Sequence, residues 1–529
     1  MNKILIVSLG SSKQALSCGY MTPQLRENNP HSEIHLLVLK ENLDRVKMLK
    51  HITKIHSIDS AKLNQIKKGS VFSDGFALDS MYEDLEEVLA TEWSQVINQN
   101  HNTLSTLITS ALQTESRVGV SLTPSGTTLL SNDWAINLNS VNTQAARKPI
   151  ETNIINNHLF GAPWFNEGEA IKISEQYSVL AGQNFTRIRN MRAGESKIVG
   201  ISLSQGYDGT YLETEALTEI VGTLKESSEY IPILLMDPRE LNQKTIVNEL
   251  NALYNNELIS INVDFTAFPA ISTHLDIIIS PATDYLLAAD LQGTIALELR
   301  NTDAFKNDPL VTNEGSRVIF YTESKTISSE IIYAVNEIYS TELPLDTTNG
   351  GALVYACVKD EYGYFFSQIK GEISLQAELN YHLSRSFFFH ILGYPENQAL
   401  LNNIKEMCTK DEIHEFVTLT RSELTGVVKI LLATLRSIKT MRNTSDGLNS
   451  FLAYYDQLLA YGNQDNLIGH LIRFTEGQIE NIHDSDAKKN LELIEKSLFD
   501  LKSNIQKITE TCGILIGDLS VEKTSSMQK

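Results

Sequence analysis

The sequence is short of several things at once. It has four cysteines in 529 residues (Cys18, Cys357, Cys408 and Cys512), and no two stand at the C-x-x-C spacing of a zinc knuckle or redox pair. They read as reduced, buried thiols, and no disulfide framework is expected to carry the fold. Long apolar runs are missing: Ile4–Val7 and Ile277–Ile279 fall far below the roughly 20 residues of a membrane-spanning helix. The opening MNKILIVSLG has too short an apolar core, and no small-residue cleavage site, for a signal peptide, so a cytoplasmic protein is expected. Positive charge is also scarce, with 44 Lys and Arg against 65 Asp and Glu and a net charge of −21. Polyphosphate backbones are bound by lysine and arginine releasing counterions, so nucleic acid and anionic membranes are poor partners for this chain. A Gly-rich Walker loop is absent as well, and neither a metal nor a cofactor is expected.

What is present alternates. Lys3–Leu9 reads as a strand and Gly10–Ser12 as a loop; a helix then runs to Asn28, where Asn29-Pro30 stops it. Glu33–Leu39 is a second strand, which makes a βαβ opening and implies a parallel sheet. Helices at Met81–Glu92 and Thr103–Leu112, and strands at Ser94–Ile97 and Arg117–Ser121, continue the theme. Thr152–Gly182, with its apolar knot His158–Phe165, reads as a crossover. Strands at Ile198–Leu203, Ile231–Met236, Leu258–Val263, Asp276–Ile279 and Thr294–Leu299 then alternate with helices, predicting a second doubly wound sheet. Ala352–Val358 and Tyr364–Ile369 flank Asp360-Glu361-Tyr362-Gly363 as a hairpin, and everything beyond Glu372 is helical by periodicity. The fold class expected is therefore α/β, two tandem Rossmann-like domains (residues 1–180 and 181–345) followed by a hairpin and α-helical region (346–529). The stripe Leu491, Ile494, Leu498, Leu501, Ile505, Ile508, Cys512, Leu515 fits either a bundle core or a coiled-coil seam.

Doubly wound sheets bind ligands at the carboxyl ends of their strands. The loops concerned are Gly10–Gln14, Ser204–Gly209, Asp237–Glu240 and Ser280–Tyr285. These loops carry a resemblance. ILIVSLGSSKQALSCGYMTPQLRENNPHSEIHLL, SLSQGYD, LLMDPRE and DIIISPATDYLLAADLQGT stand in the order and spacing of the motifs of bacterial heptosyltransferases. Over roughly residues 1–330 the sequence resembles that family, glycosyltransferases of GT-B fold that use an ADP-sugar donor.

The resemblance implies a protein that moves a sugar from a nucleotide-sugar to an envelope glycan or lipopolysaccharide-type acceptor, with no metal. By position it implies Ser11 and Ser12 on the acceptor side and Gly206, Pro238, Glu240, Thr283 and Gly293 on the donor side. The departures are chemical. The family's catalytic carboxylate falls on Gln14, whose amide accepts no proton near neutral pH and is left to orient the acceptor. The lysine for the donor diphosphate falls near Gly209. The donor-motif Asp, Gly and His fall on Ala282, Asp284 and Leu287, and a carboxylate at Asp284 would repel phosphate from a helix N-terminus. Asp208 is a candidate substitute carboxylate, against a turn-forming Asp-Gly. Asp284 is a candidate catalytic group, against an N-cap. His158 reads as a packed or surface histidine. Two functions therefore stand side by side: an active glycosyltransferase, or a degenerate GT-B protein acting as a binding or assembly module. Residues 372–515 would carry a homo-oligomer contact or a protein partner.

Overall fold

A computed structural model of the protein describes residues 2–69, 73–100, 102–143, 145, 147–161, 170–191, 195–301, 308–322, 327–340, 351–372, 374–395, 408–441 and 446–526. The chain divides into two compact units, one of residues 1–127 with 156–372 and one of residues 128–155 with 373–529.

The first unit holds two sheets. Strands β1 (Lys3–Ser8), β2 (Glu33–Leu39), β3 (Lys54–Ile58), β4 (Trp93–Asn98) and β5 (Thr114–Val118) pair in parallel in the order β3-β2-β1-β4-β5. Helix α1 (Ser12–Asn28) follows β1. Leu5, Ile6, Val7, Leu36, Leu37 and Val38 have no solvent exposure, as expected for a parallel sheet covered on both faces. The edge strand β3 is absent from the sequence reading because Lys54, His56 and Ser57 break its apolar run. Its His56 Nε2 lies 2.9 Å from His35 Nδ1 on β2, both rings meet Trp93 edge-on, and the far side of His35 faces Glu33 at 3.3 Å.

Burial holds both histidines below their ordinary pKa, His56 at about 4. Each stays neutral in the fold and takes up a proton on unfolding, so their contribution is complete above pH ~6.5 and is lost as pH falls toward 4. Urea midpoints measured across that window should fall more steeply for the wild-type protein than for His56→Gln.

The second sheet has eight strands: β6 (Lys197–Ser202), β7 (Tyr230–Met236), β8 (Ile259–Asn262), β9 (Ile277–Pro281), β10 (Ala296–Arg300), β11 (Arg317–Phe320), β12 (Leu353–Asp360) and β13 (Gly363–Lys370). Their order is β8-β7-β6-β9-β10-β11-β12-β13. The first six are parallel in the doubly wound order, and β12 and β13 are antiparallel additions. The expected hairpin is present, and it extends this sheet through β11, with Arg317 opposite Ala356 and Phe320 opposite Leu353. The four residues of β11 were too few to register as a strand in the sequence. Helix α2 (Asp284–Asp290) follows β9 and packs against α1, where a Cβ on Gly19 would come within 2.9 Å of Leu291.

The second unit is helical: α3 (Leu375–Ile391), α4 (Lys410–Met441), α5 (Asp446–Gly462), α6 (Leu467–Glu480) and α7 (Ala487–Ser526). Leu498, Leu501, Ile505, Ile508, Cys512 and Leu515 of the α7 stripe are at most 3% exposed and join a core with Leu431, Leu471 and Ile413 of the same chain. All four cysteines are buried, and among the described residues none forms a disulfide. Among the described residues no helix is long and apolar enough to cross a membrane.

Candidate functional site

The loop after β1 is built by polar side chains from neighbouring strands' ends. Asn42 donates to the Gly10 carbonyl at 2.9 Å, and Asn102 donates to the Leu9 carbonyl at the same distance. Ser11 caps α1: its hydroxyl accepts from the Gln14 amide N–H at 3.4 Å, while the Gln14 side-chain oxygen accepts from the Ser11 N–H at 3.1 Å. This is a capping box, and it satisfies two otherwise orphaned helix donors. Gln14 folds so closely over Gly10 that a Cβ there would lie 1.9 Å from its Oε1. The residue at the family's catalytic position is thus tied to its own helix. Gln14→Ala should cost about 0.5–1 kcal/mol, read as a lowered denaturation midpoint, whereas Gln14→Glu keeps the box and stays within a few tenths of wild type. Ser12 and Lys13 follow in the first turn, and Lys13 Nζ reaches the Asp308 carbonyl at 3.2 Å.

The loop after β6 is a tight turn. Gly206 N–H donates to the Thr210 carbonyl at 2.7 Å, Tyr207 N–H to the Ala282 carbonyl at 2.9 Å, and Gly209 adopts φ +85°. A Cβ on Gly206 would lie 3.0 Å from Pro281 Cβ and 2.9 Å from Asp208 Oδ1, so only glycine fits this approach of one loop to the next. Asp208 Oδ1 accepts from the Thr210 N–H at 3.0 Å, the turn-forming role; its Oδ2 is buried and makes no hydrogen bond among the described residues.

Helix α2 is capped by Thr283, whose hydroxyl accepts from the Leu286 N–H at 3.1 Å. Asp284 is therefore the first helical residue, one place beyond the N-cap position the sequence suggested. Its carboxylate is taken on both oxygens: Arg45 Nε donates to Oδ2 at 2.8 Å and the Tyr207 hydroxyl donates to Oδ1. The Arg45–Asp284 pair is 16% and 12% exposed, and the guanidinium also stacks over Phe265 at 4.2 Å. Burial, and then Asp284, push the Tyr207 phenol far above its ordinary pKa, so it stays a donor.

The loop after β7 is a second closed set. Arg239 grips Asp237 through its backbone N–H and Nε, both at 2.9 Å from Oδ1, and the Tyr285 hydroxyl donates to Oδ2 at 3.0 Å. Burial alone would raise Asp237, but Arg239 holds it below the usual carboxylate range. Pro238 lies within this turn, and Glu240 accepts from Gln243 at 2.7 Å. Gly293, with φ +80°, ends α2 on the side away from its N-terminus, its N–H bonded to the Asp290 carbonyl at 2.9 Å. His158 is half-buried near the end of the helix Thr152–Leu159, and residues 162–165 of the knot fall outside the described residues.

The fold thus brings Tyr207, Asp284 and Thr283 together with Arg45 from the first sheet's side. Ser11, Ser12 and Gln14 occupy the end of β1. Arg45, Tyr207 and Arg239 were missed in the sequence. Arg45 lies just past the carboxyl end of β2, the position rule that singled out the other loops, and that rule was its only signal.

The spacing His31-x-x-x-His35 and the triplet Asp484-x-Asp486 also occur, but His35 is spent on His56 and Glu33, and Asp484 binds Lys489. Among the described residues no group of three or more His, Cys, Asp or Glu is placed to hold a metal ion.

No protein-family profile and no curated protein sequence matches the chain. Solved structures do. They include the glycosyl transferase family 9 protein from Veillonella parvula DSM 2008 (13% identity, TM-score 0.46, covering 66% of this chain and 92% of that one). E. coli heptosyltransferase WaaC with ADP is another (10% identity, TM-score 0.43, 63% and 99% covered). A third is E. coli ADP-heptose lps heptosyltransferase II (11% identity, TM-score 0.41, 64% and 98% covered). At such identities the likeness concerns fold alone.

Proposed function

We propose that this chain is a glycosyltransferase of the heptosyltransferase type, binding a nucleotide-sugar at the carboxyl ends of its two sheets and passing the sugar to a hydroxyl of an envelope glycan or lipopolysaccharide-type acceptor. The observation that carries the reading is Asp208. Of the three aspartates in the loops after β6, β7 and β9, Asp284 is held by Arg45 and Tyr207 and Asp237 by Arg239 and Tyr285. Asp208 is the one of these three with a carboxylate oxygen that has no hydrogen bond among the described residues. In this reading the Asp208 turn opens when ligand binds and exposes Oδ2, which takes the proton of the attacking hydroxyl as it bonds to the anomeric carbon, and the nucleoside diphosphate leaves with the electron pair of the broken glycosidic bond. Gly206 and Thr283 hold their two loops together beside the donor, Ser11 and Ser12 hydrogen-bond the acceptor, and Gln14 orients without deprotonating.

A second reading has a specific observation in its favour. Gln14 is consumed by the helix cap, and Asp284 sits with its two partners where the family's donor motif falls, which suits a degenerate protein retained for binding or assembly through its helical unit. Release of nucleoside diphosphate from nucleotide-sugars, followed in the wild-type protein and in Asp208→Asn, separates the two. The first reading expects turnover that drops at least about 100-fold in Asp208→Asn. Undiminished turnover in that variant removes Asp208 from the mechanism, and a wild type that binds a nucleotide-sugar without consuming it establishes the second reading.

A further inference from the structure

The helical unit contains a polar cavity of about 340 Å³, within the size range of small-molecule sites. It is lined by Thr128, Asn139, Ser140, Arg473, Glu476 and Glu480, among others. Its floor is a close approach of two backbones: a Cβ on Gly477 of α6 would lie 2.0 Å from Ser140 Oγ, on the π-helical turn Asn137–Val141. Such turns interrupt an α-helix at some cost and cluster at functional sites.

The charges in this cavity do not balance. Glu476 and Glu480 are one helical turn apart on α6, on one face, where like charges repel. Neither has a hydrogen-bond or ion-pair partner among the described residues. Burial, and then Glu480, raise the Glu476 pKa, and the Arg473 charge offsets them only in part. Arg473, 4% exposed, lies on the same wall. One of its terminal nitrogens donates to the Gln464 carbonyl at 3.1 Å and faces the Asp465 carboxylate at 3.7 Å, while its Nε is buried without an acceptor among the described residues. A buried guanidinium N–H left unpaired is costly, so this donor is a second and independent pointer to a ligand. Because Asp465 already pairs with Arg473, that guanidinium does not cancel both glutamates, and at least one negative charge is left to be met. Apart from Leu130 and Gly477, the remaining lining residues carry hydroxyls and amides that suit a polyol.

We infer that this cavity binds a small polyhydroxylated ligand carrying one ammonium group, of the amino-sugar class, with the ammonium between Glu476 and Glu480 and a hydroxyl oxygen accepting from Arg473 Nε. The site lies in the unit of residues 128–155 and 373–529 and stands whether or not the sheets transfer sugar.

The test uses the full chain with glucosamine, and with glucose and N-acetylglucosamine as uncharged counterparts, by calorimetric titration and thermal unfolding at low salt. Glucosamine should bind at least about tenfold more tightly than either counterpart, since a charge-assisted hydrogen bond contributes roughly 1.5–3 kcal/mol. The double variant Glu476→Gln/Glu480→Gln should lose that preference while its ligand-free unfolding temperature stays level or rises, because the repulsion is gone. Equal binding of all three sugars, no binding of glucosamine at tens of millimolar, or an unchanged preference in the double variant would each overturn the assignment.

Discussion

Replacing Asp290 by alanine should cost this protein about 3–5 kcal/mol, the penalty for stripping a buried carboxylate from donors left without an acceptor. Asp290 is 1% exposed at the end of α2 and takes hydrogen bonds from the Tyr20 hydroxyl at 2.7 Å, the Thr312 hydroxyl at 2.6 Å, the Thr312 N–H at 2.8 Å and the Asn313 amide at 3.1 Å. Tyr20 belongs to α1, so this carboxylate pins the first sheet's opening helix to the second sheet's ligand-side helix. Burial pushes its pKa up to about 6. A protonated Asp290 donates to the Tyr20 oxygen, while the Tyr20 hydroxyl turns to the Leu310 carbonyl 3.0 Å away. With the folded pKa above the unfolded one, this contribution is complete below pH ~3.8 and is lost as pH rises through about 6. Asp290→Asn keeps a donor and an acceptor in place and removes the titration. Denaturation midpoints should therefore show a large loss for the alanine variant and a small one for asparagine. The gap between wild type and asparagine should move against wild type from pH 4 to 6. An alanine variant within 1 kcal/mol of wild type would refute the anchor.

Glu151→Ala should have a comparable effect on the helical unit. The Glu151 carboxylate accepts from the Tyr381 hydroxyl at 2.6 Å and from Arg385 at 2.9 Å, and Arg385 has no solvent exposure at all. Removing one partner of a buried pair leaves the other charge desolvated, a cost of about 3–5 kcal/mol, far more than the pair's net contribution. Glu151→Gln, which keeps one acceptor oxygen but leaves the buried Arg385 charge without its counter-ion, should lose somewhat less than the alanine variant. Because the unit joins residues 128–155 to 373–529, loss of amide exchange protection in α3 is the readout that ties the effect to this contact.

Much of the fold was legible because parallel strands buried on both faces write near-continuous apolar runs, as in Ile4–Val7 and Tyr230–Met236. Glu33–Leu39 was found with its observed ends. The failures have physical causes. Strand β3 is an edge whose His56 is satisfied by His35 across the sheet, a pairing invisible along the chain. Strand β11 is four residues long. The hairpin read correctly, yet nothing local says which sheet its edge will join. At the site, the loops were found by the rule that ligands meet strand carboxyl ends, and Gly206 by its place in the motif. What went unread was commitment: whether a polar side chain is free or spent. Gln14 is spent on its own helix and Asp284 on Arg45 and Tyr207, groups about 240 and about 80 residues away in sequence, while Asp208 retains an oxygen without a hydrogen bond among the described residues.

The central claim is that the sheet ends still bind a nucleotide-sugar, and thermal unfolding with ADP-, UDP-, GDP- and CMP-sugars at millimolar concentration tests it most directly. A ligand at 100 times its dissociation constant adds about 2.7 kcal/mol, a shift of several degrees. The account predicts such a shift with one nucleotide class and little with the others. No shift with any of the four, in a preparation that unfolds cooperatively, would contradict it.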